Sequence, residues 1–532
     1  MDNSPSAKSS LRKRISTVLH DSLKELKQTL IAFARAPKAL WGVNIPYVIE
    51  GLVYFGILTI LGKYCSENVA LSDLHAGWVY GGVTGGITFA MLLFGGVADR
   101  LGVRRALALA LLVMMVGRTL ISLSGTIPLG SGMGSPMFFV MTAGLFFMVA
   151  AYGLYQPAAY AGVKRYTNPQ TAAMGYAVVY ALMNLGAFLS GFISPATRHH
   201  FETVFPPNGL TAVFWVYTIL TLSSVLITVL ILNKKTDQLA VARIQQETSA
   251  MQDNANKNGA AKSDKAKEKV EIDNKLLMGL GSLILLLVAV LVWQLTRHQK
   301  NYKFTIVVII ILAAFALWDF LKKRPDHPFR DIRFVFFIFI LIPVQTLFAH
   351  NWLTIPYYLD RAFAGTLVGN YFEFFSNLNP ILIFILAPII AGLTSQVNVY
   401  RMMISGTFVM ALPTFLLATG PHTSLFLLYV LLMTIGEAMW QPRFLQWIAE
   451  IAPEGKTGAY MGIGQFPWFL TKMITASYSG YFIANYVPHP TSGLPMRTGE
   501  MWLIYGLIAI ISPIALWFAR KWMMKGMRKK AS

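Results

Sequence analysis

Runs of about twenty apolar residues recur along this chain, each long enough to cross a hydrocarbon layer roughly 30 Å thick as a helix. Helix is the form such runs must take, because nothing in lipid satisfies a bare backbone. Spans are expected near residues 41–62, 76–98, 102–123, 136–162, 171–196, 211–232, 276–296, 303–322, 333–358, 369–394, 399–419, 424–449, 458–485 and 500–520. The chain is 55% hydrophobic and only 13% charged over 532 residues, which excludes a soluble globular protein. The fold class is therefore an all-α polytopic membrane protein with fourteen spans.

The formal net charge of +21 would point to nucleic acid in a soluble chain. Here Lys and Arg gather at span ends, where topology and anionic lipid account for them, so no nucleic-acid partner is expected. With the N-terminus in the cytoplasm, the inner side collects Arg100, Arg104, Arg105, Lys164, Arg165, Lys234, Lys235, Lys322, Lys323, Arg324 and Arg401. Outer loops such as 125–135 and 487–498 are nearly free of them; the loop with Arg297, Lys300 and Lys303 is the exception. Both termini then lie in the cytoplasm. The single cysteine, Cys65, leaves no internal disulfide and no thiolate metal cluster. The sequence contains no His-Glu-x-x-His, no Gly-x-Ser-x-Gly and no phosphate loop, so neither an enzyme nor a cofactor or metal is expected.

Composition divides the chain. Residues 1–40 are basic, with Ile15, Val18, Leu19, Leu23, Leu26 and Leu30 at helical spacing, a segment suited to a membrane surface. Residues 41–232 hold six spans. Residues 233–275 are rich in Lys, Asp, Gln and Asn and read as a solvated cytoplasmic linker, partly helical. An almost purely aliphatic pair fills 276–322 and is expected to face lipid; six more spans fill 333–522, and 523–532 is a tail.

The two six-span halves repeat one another. Gly96-Val97-Ala98-Asp99-Arg100-Leu101-Gly102-Val103-Arg104-Arg105 has a weaker counterpart at Gly392–Arg401, where Ser395 and Gln396 replace the acid and the base. Tyr155-Gln156-Pro157 corresponds to Trp440-Gln441-Pro442, and Met174-Gly175 to Met461-Gly462. Three matches in one order indicate two related six-helix bundles.

The loop at 96–105 resembles the signature of major facilitator transporters, whose halves are parallel six-helix repeats. That resemblance implies a gating role for Gly96, Asp99, Arg100, Gly102, Arg104 and Arg105, with Asp99 pairing or capping in one of two states. Fourteen spans with the extra pair between the bundles further resemble the bacterial proton-dependent oligopeptide transporters. So do Tyr180–Ser190 with Pro195, Asn377–Ile381 with Pro388, Gly436-Glu437 with Pro442, and Gly464–Leu470. The first span keeps Glu50 and Tyr54-Phe55-Gly56, but Tyr47 and Gly51 stand where that family has a second Glu and a base, and Gln156 where it has a Lys. The resemblance implies a bacterial inner-membrane location. It also implies that Glu437 meets a substrate amino group.

Ionisable groups inside spans are costly and mark functional positions. Glu50 and Glu437 are the expected proton-coupling carboxylates. Lys472 is expected to meet Glu437 or a substrate carboxylate, while Arg118 and Glu373 are expected to be structural and His350 packed. Tyr54, Tyr155, Gln156, Trp440 and Asn351 complete the expected substrate-binding set. The function these readings support is secondary active transport of a small organic solute, di- or tripeptide-like, by alternating access and proton symport. The alternatives are a proton-coupled exporter of amphipathic compounds and a non-transporting membrane receptor. Substrate, protons and lipid are the partners, and a monomer is the expected state.

Overall fold

A computed structural model describes residues 37–168, 172–257, 302–325, 327–394, 397–451 and 466–528, together with 276, 279–283, 286–287, 290, 460 and 463–464. The amphipathic segment before residue 37, the linker from 258 to 275, Ser395 and Gln396 lie outside the described residues. Ten described helices are long and apolar enough to cross a membrane, and no described residue is in a strand. This is a multi-pass helical membrane protein.

The first six spans are α1 (Lys38–Lys63), α2 (Asp73–Leu101), α3 (Val103–Thr126), α4 (Pro136–Arg165), α5 (Ala172–Phe201) and α6 (Leu210–Ile231). They enclose one hydrophobic core. α7 (Lys234–Lys257) follows, then α8 (Tyr302–Lys322), the second helix of the extra pair. A second core is built by the last six spans. The seventh core span is broken into α9 (Ile332–Ile340), α10 (Ile342–Leu353) and α11 (Ile355–Ala362), and the eighth into α12 (Leu367–Asn370), α13 (Phe372–Ser376) and α14 (Leu378–Leu393). Then come α15 (Val399–Ala411) with a 3-10 continuation to Thr419, α16 (Thr423–Ile451), α17 (Phe466–Tyr486) and α18 (Thr498–Arg528).

Local chemistry sets these boundaries. Ser135 accepts from the Phe138 backbone N–H at 3.2 Å, and Pro136 opens α4 at a position that needs no donor. Asp331 caps α9 through the N–H groups of Arg333 and Phe334. The breaks in the seventh span precede Pro343 and Pro356, which cannot donate to the preceding turn. The joint between α2 and α3 is a single residue, Gly102, with φ +74° and ψ 154°, a conformation only glycine adopts readily. The basic turn expected there is thus shorter than a loop: Asp99 and Arg100 lie in the last turn of α2, and Arg104 and Arg105 in the first turn of α3.

Glycine also sets the helix spacing. A Cβ on Gly117 of α3 would stand 2.6 Å from the Gly144 carbonyl of α4, and one on Gly144 would stand 2.5 Å from the Gly117 carbonyl. Such mutual contact brings helices together where apolar burial gives no net drive. Likewise Gly51 of α1 packs on the Met183 backbone of α5, with a Cβ there only 3.1 Å from the Met183 oxygen. A basic side chain at position 51 would not fit this crossing.

α7 departs from the solvated linker expected. Its Ala240 is buried and Val241 packs against the first core. Asp237 receives hydrogen bonds from Arg165 at 2.9 and 3.2 Å and from the Tyr166 hydroxyl at 2.7 Å, and Asn168 donates to Glu247 at 2.9 Å. Burial alone would raise the Asp237 carboxyl, but the bonds from Arg165 and Tyr166 outweigh it and hold its pKa below the ordinary value. α8, by contrast, exposes Phe304, Ile310, Ile311 and Trp318, the apolar surface of a helix that faces lipid.

Gly144→Ala should force α3 and α4 apart and cost about 1–3 kcal/mol, as overpacking does. A lowered thermal unfolding midpoint in detergent checks this. Gly82→Ala, where a Cβ meets nothing within 4 Å, should leave the midpoint unchanged or raised.

Candidate functional site

A cavity of about 400 Å³ lies between the two cores, a size typical of small-molecule sites. α1, α2, α4 and α5 supply one wall through Tyr54, Tyr80, Thr84, Gln156, Tyr160 and Asn184. α10, α16 and α17 supply the other through Gln345, Trp352, Gln441, Trp468 and Lys472. Gln156 and Gln441 are the repeat-related glutamines that precede Pro157 and Pro442, so the internal repeat sets one amide on each side of the same space.

Aromatic rings form a row across the cavity. Phe55 lies 4.9 Å from Trp352, Trp352 lies 4.8 Å from Phe348, and Phe348 lies 5.2 Å from Trp468. Trp468 stacks at 6.4 Å and 12° on Trp440. These separations are those of favourable ring pairs. Trp440 itself stands behind the wall, buried, with its indole N–H toward the Met410 sulfur at 3.1 Å. Tyr155 is likewise displaced: it lines a small niche with Tyr47, Glu50 and Tyr152, not the main cavity. Asn351 is buried outside the described cavity wall, with no partner for its Nδ2 among the described residues. Of the expected substrate-binding set, Tyr54, Gln156 and Lys472 line the cavity.

The buried charges sort into two kinds. Arg118 of α3 donates to both oxygens of Glu50, at 3.0 and 2.7 Å, to the Tyr152 hydroxyl at 2.8 Å, and to Thr221. This bidentate pair is almost wholly buried. Glu50, expected as a proton-coupling carboxylate, is held by a guanidinium from another span. Arg118 supplies the positive charge that Gly51 cannot. Glu437 differs: Asn379 donates to it at 2.8 Å and also to Thr434 at 3.0 Å, but no described cation is beside it. The expected Lys472–Glu437 pair is not formed. Lys472 is the only charged residue of the described cavity wall, and it has no ion-pair or hydrogen-bond partner among the described residues. His350 is packed as expected, bonded to Thr354 at 2.7 Å and to the Tyr478 hydroxyl at 3.1 Å.

The described ion pairs that cross between the bundles lie at the end of the molecule remote from α7. Lys63 meets Asp360 at 2.5 Å, Arg198 meets Glu373 at 2.6 Å, and Arg361 grips Asp73 at 2.7 and 2.9 Å. Arg198 also donates to the Asn370 carbonyl at 2.7 Å, and the Asn377 amide reaches Thr59 of α1 at 3.1 Å. Beneath them α2 packs on α17 through small residues: Gly77 against Gly480, Gly81 against Ala476, and Gly85 against Met473. Gly77-x-x-x-Gly81-x-x-x-Gly85 is a helix-pairing pattern visible in the sequence and not used above. The side chain of Asp99 lies outside what the structure describes; Arg100 and Arg105 are exposed.

Arg118→Leu should cost about 3–5 kcal/mol, because it leaves Glu50 buried and unpaired. Thermal unfolding should show this loss, with much of it recovered by adding Glu50→Leu.

Comparison with known proteins bears on this geometry. Residues 45–379 match the family model described as Major Facilitator Superfamily. No curated protein sequence matches the chain. Among solved structures, a peptide transporter POT in complex with sulfate superposes with a TM-score of 0.64 at 18% identity, over 92% of this chain and 96% of that one. A POT family transporter in complex with 5-aminolevulinic acid gives 0.64 at 16% identity, over 92% and 97%. The tetrameric PepTSo2 gives 0.59 at 17% identity, over 92% and 99%. At these identities the likeness is one of fold.

Proposed function

The chain belongs to the Major Facilitator Superfamily, and from that premise we propose that it moves a small organic solute of di- or tripeptide size by alternating access, driven by protons. The observation that carries this reading is the placement of the inter-bundle ion pairs at one end of a central cavity. The distribution of Lys and Arg supports an outward position for that end and a cytoplasmic one for both termini, and the resemblance to bacterial transporters supports an inner-membrane location. The arrangement supports an inward-facing state with the outer gate shut. A structural neighbour named as a peptide transporter and another in complex with 5-aminolevulinic acid support the size class of the solute.

Opening the outer gate parts α2 from α17 and separates Arg198 from Glu373 and Arg361 from Asp73. Water entering the gap rehydrates the separated ions, and a pair in water contributes only about 0–1 kcal/mol. The gate can therefore open without leaving charges bare in lipid. The inner gate falls to the Gly102 joint, with Gly96, Asp99, Arg100, Arg104 and Arg105 around it. Glu437 is our proposed proton carrier, because a proton can join it without breaking an ion pair. Glu50, gripped by Arg118, holds the first bundle together as it tilts.

A second reading, export of amphipathic compounds, is favoured by the aromatic wall. It uses the same cavity and differs in direction.

In proteoliposomes, an imposed proton gradient should drive accumulation of a labelled solute of dipeptide size, supplied both as a free and as an N-acetylated dipeptide. Glu437→Gln should abolish that accumulation and keep solute exchange without a gradient. Undiminished gradient-driven accumulation by this variant would move coupling elsewhere. Arg361→Ala should lengthen the distance between spin labels at Ser72 and His489, the exposed outer ends of the two bundles, as measured by electron double resonance. The buried Cys65 is the chain's only thiol, which makes introduced cysteines selective labelling sites.

A further inference from the structure

The cavity wall has a cation and no acid. Lys472 is its only charged residue among those described, and Glu437 and Glu50 both lie off the wall of the main cavity. An ammonium inside a span is costly unless something neutralises it. Nothing in the described protein does so, and the neighbouring side chains of the wall are neutral. A second donor stands close by. Gln345 is buried and lines the cavity; its Oε1 accepts from the Thr471 hydroxyl at 3.1 Å, while its Nε2 has no partner among the described residues. Lys472 is the next residue along α17 from Thr471, and it follows the wall residue Trp468 by one helical turn. Two unsatisfied donor groups thus border a space faced on one side by Phe348, Trp352 and Trp468.

We propose that this cavity takes a small organic anion: a single carboxylate on an apolar or aromatic body, with no ammonium group required. The carboxylate accepts from the Lys472 ammonium and the Gln345 amide, and the body lies along the Phe55–Trp352–Phe348–Trp468 row. A free ammonium on the ligand would find only neutral oxygens in the described wall, together with the repulsion of Lys472. This inference rests on the cavity being the transport site, and it narrows the peptide-sized solute to one whose amine is blocked or absent.

The test uses four probes of one size against the purified full chain in nanodiscs, read by quenching of tryptophan fluorescence and by thermal unfolding. N-acetylphenylalanine carries one negative charge, N-acetylphenylalaninamide none, phenylalaninamide one positive charge, and Ala-Phe both signs. The acid should bind at least tenfold tighter than its amide and tighter than Ala-Phe, with phenylalaninamide weakest. Lys472→Gln should erase the preference for acid over amide, and Lys472→Arg should keep it. Equal binding of acid and amide, preference for the cation or the zwitterion, an unchanged preference in a folded Lys472→Gln, or no binding by any probe would each overturn the proposal. Uptake in proteoliposomes separates this from the transport reading. If the acid binds with this profile yet is neither accumulated nor exchanged, the ligand class stands and the transport reading fails.

Discussion

The cost of an unneutralised charge away from water organises this molecule. Within the first bundle that cost is met by enclosure: Arg118 and Glu50 neutralise one another from different spans, and Thr221 and Tyr152 accept further bonds from the two terminal nitrogens of Arg118. At the outer end it is met by pairing across the two bundles, where Lys63, Arg198 and Arg361 find Asp360, Glu373 and Asp73. The first arrangement ties helices of one bundle, and the second ties helices that the proposed cycle would part. Lys472 and Glu437 belong to neither group, and their lack of partners of opposite charge among the described residues is the ground on which ligand and proton are proposed for them.

Packing follows a parallel division. Close approach through Gly117 and Gly144, or through Gly51 and Met183, fixes helices within one bundle. The α2–α17 contact uses equally small residues but joins one bundle to the other. Those two spans carry Gly77, Gly81, Gly85, Thr471, Thr475, Ser479 and Gly480.

Much of the fold was legible in the sequence because each span is a local property. The run from 136 to 162 became a helix from Pro136 to Arg165, and the run at 399–419 kept both its ends. The breaks in the seventh span were written in Pro343 and Pro356, but their effect depends on what covers the freed carbonyls. The site was less legible, because it is made by pairs distant in the chain. Nothing local says that Arg118 reaches back to Glu50, or that Trp440 stands behind Trp468. Gln156 and Gln441 were visible as repeat partners, yet only the meeting of the bundles shows that they face one space. Tyr155 borders the repeated Gln-Pro motif and Asn351 is an amide within a span, yet packing turns both away from the main cavity.

The single-residue joint at Gly102 has a mechanical consequence. A long loop between α2 and α3 would absorb motion as slack. One glycine absorbs almost none, so a tilt of α2 is delivered to α3 nearly undiminished. α3 carries Arg118, and through it the motion reaches α1 at Glu50 and α4 at Tyr152. In the proposed cycle the first bundle would thereby move as one stiff lever.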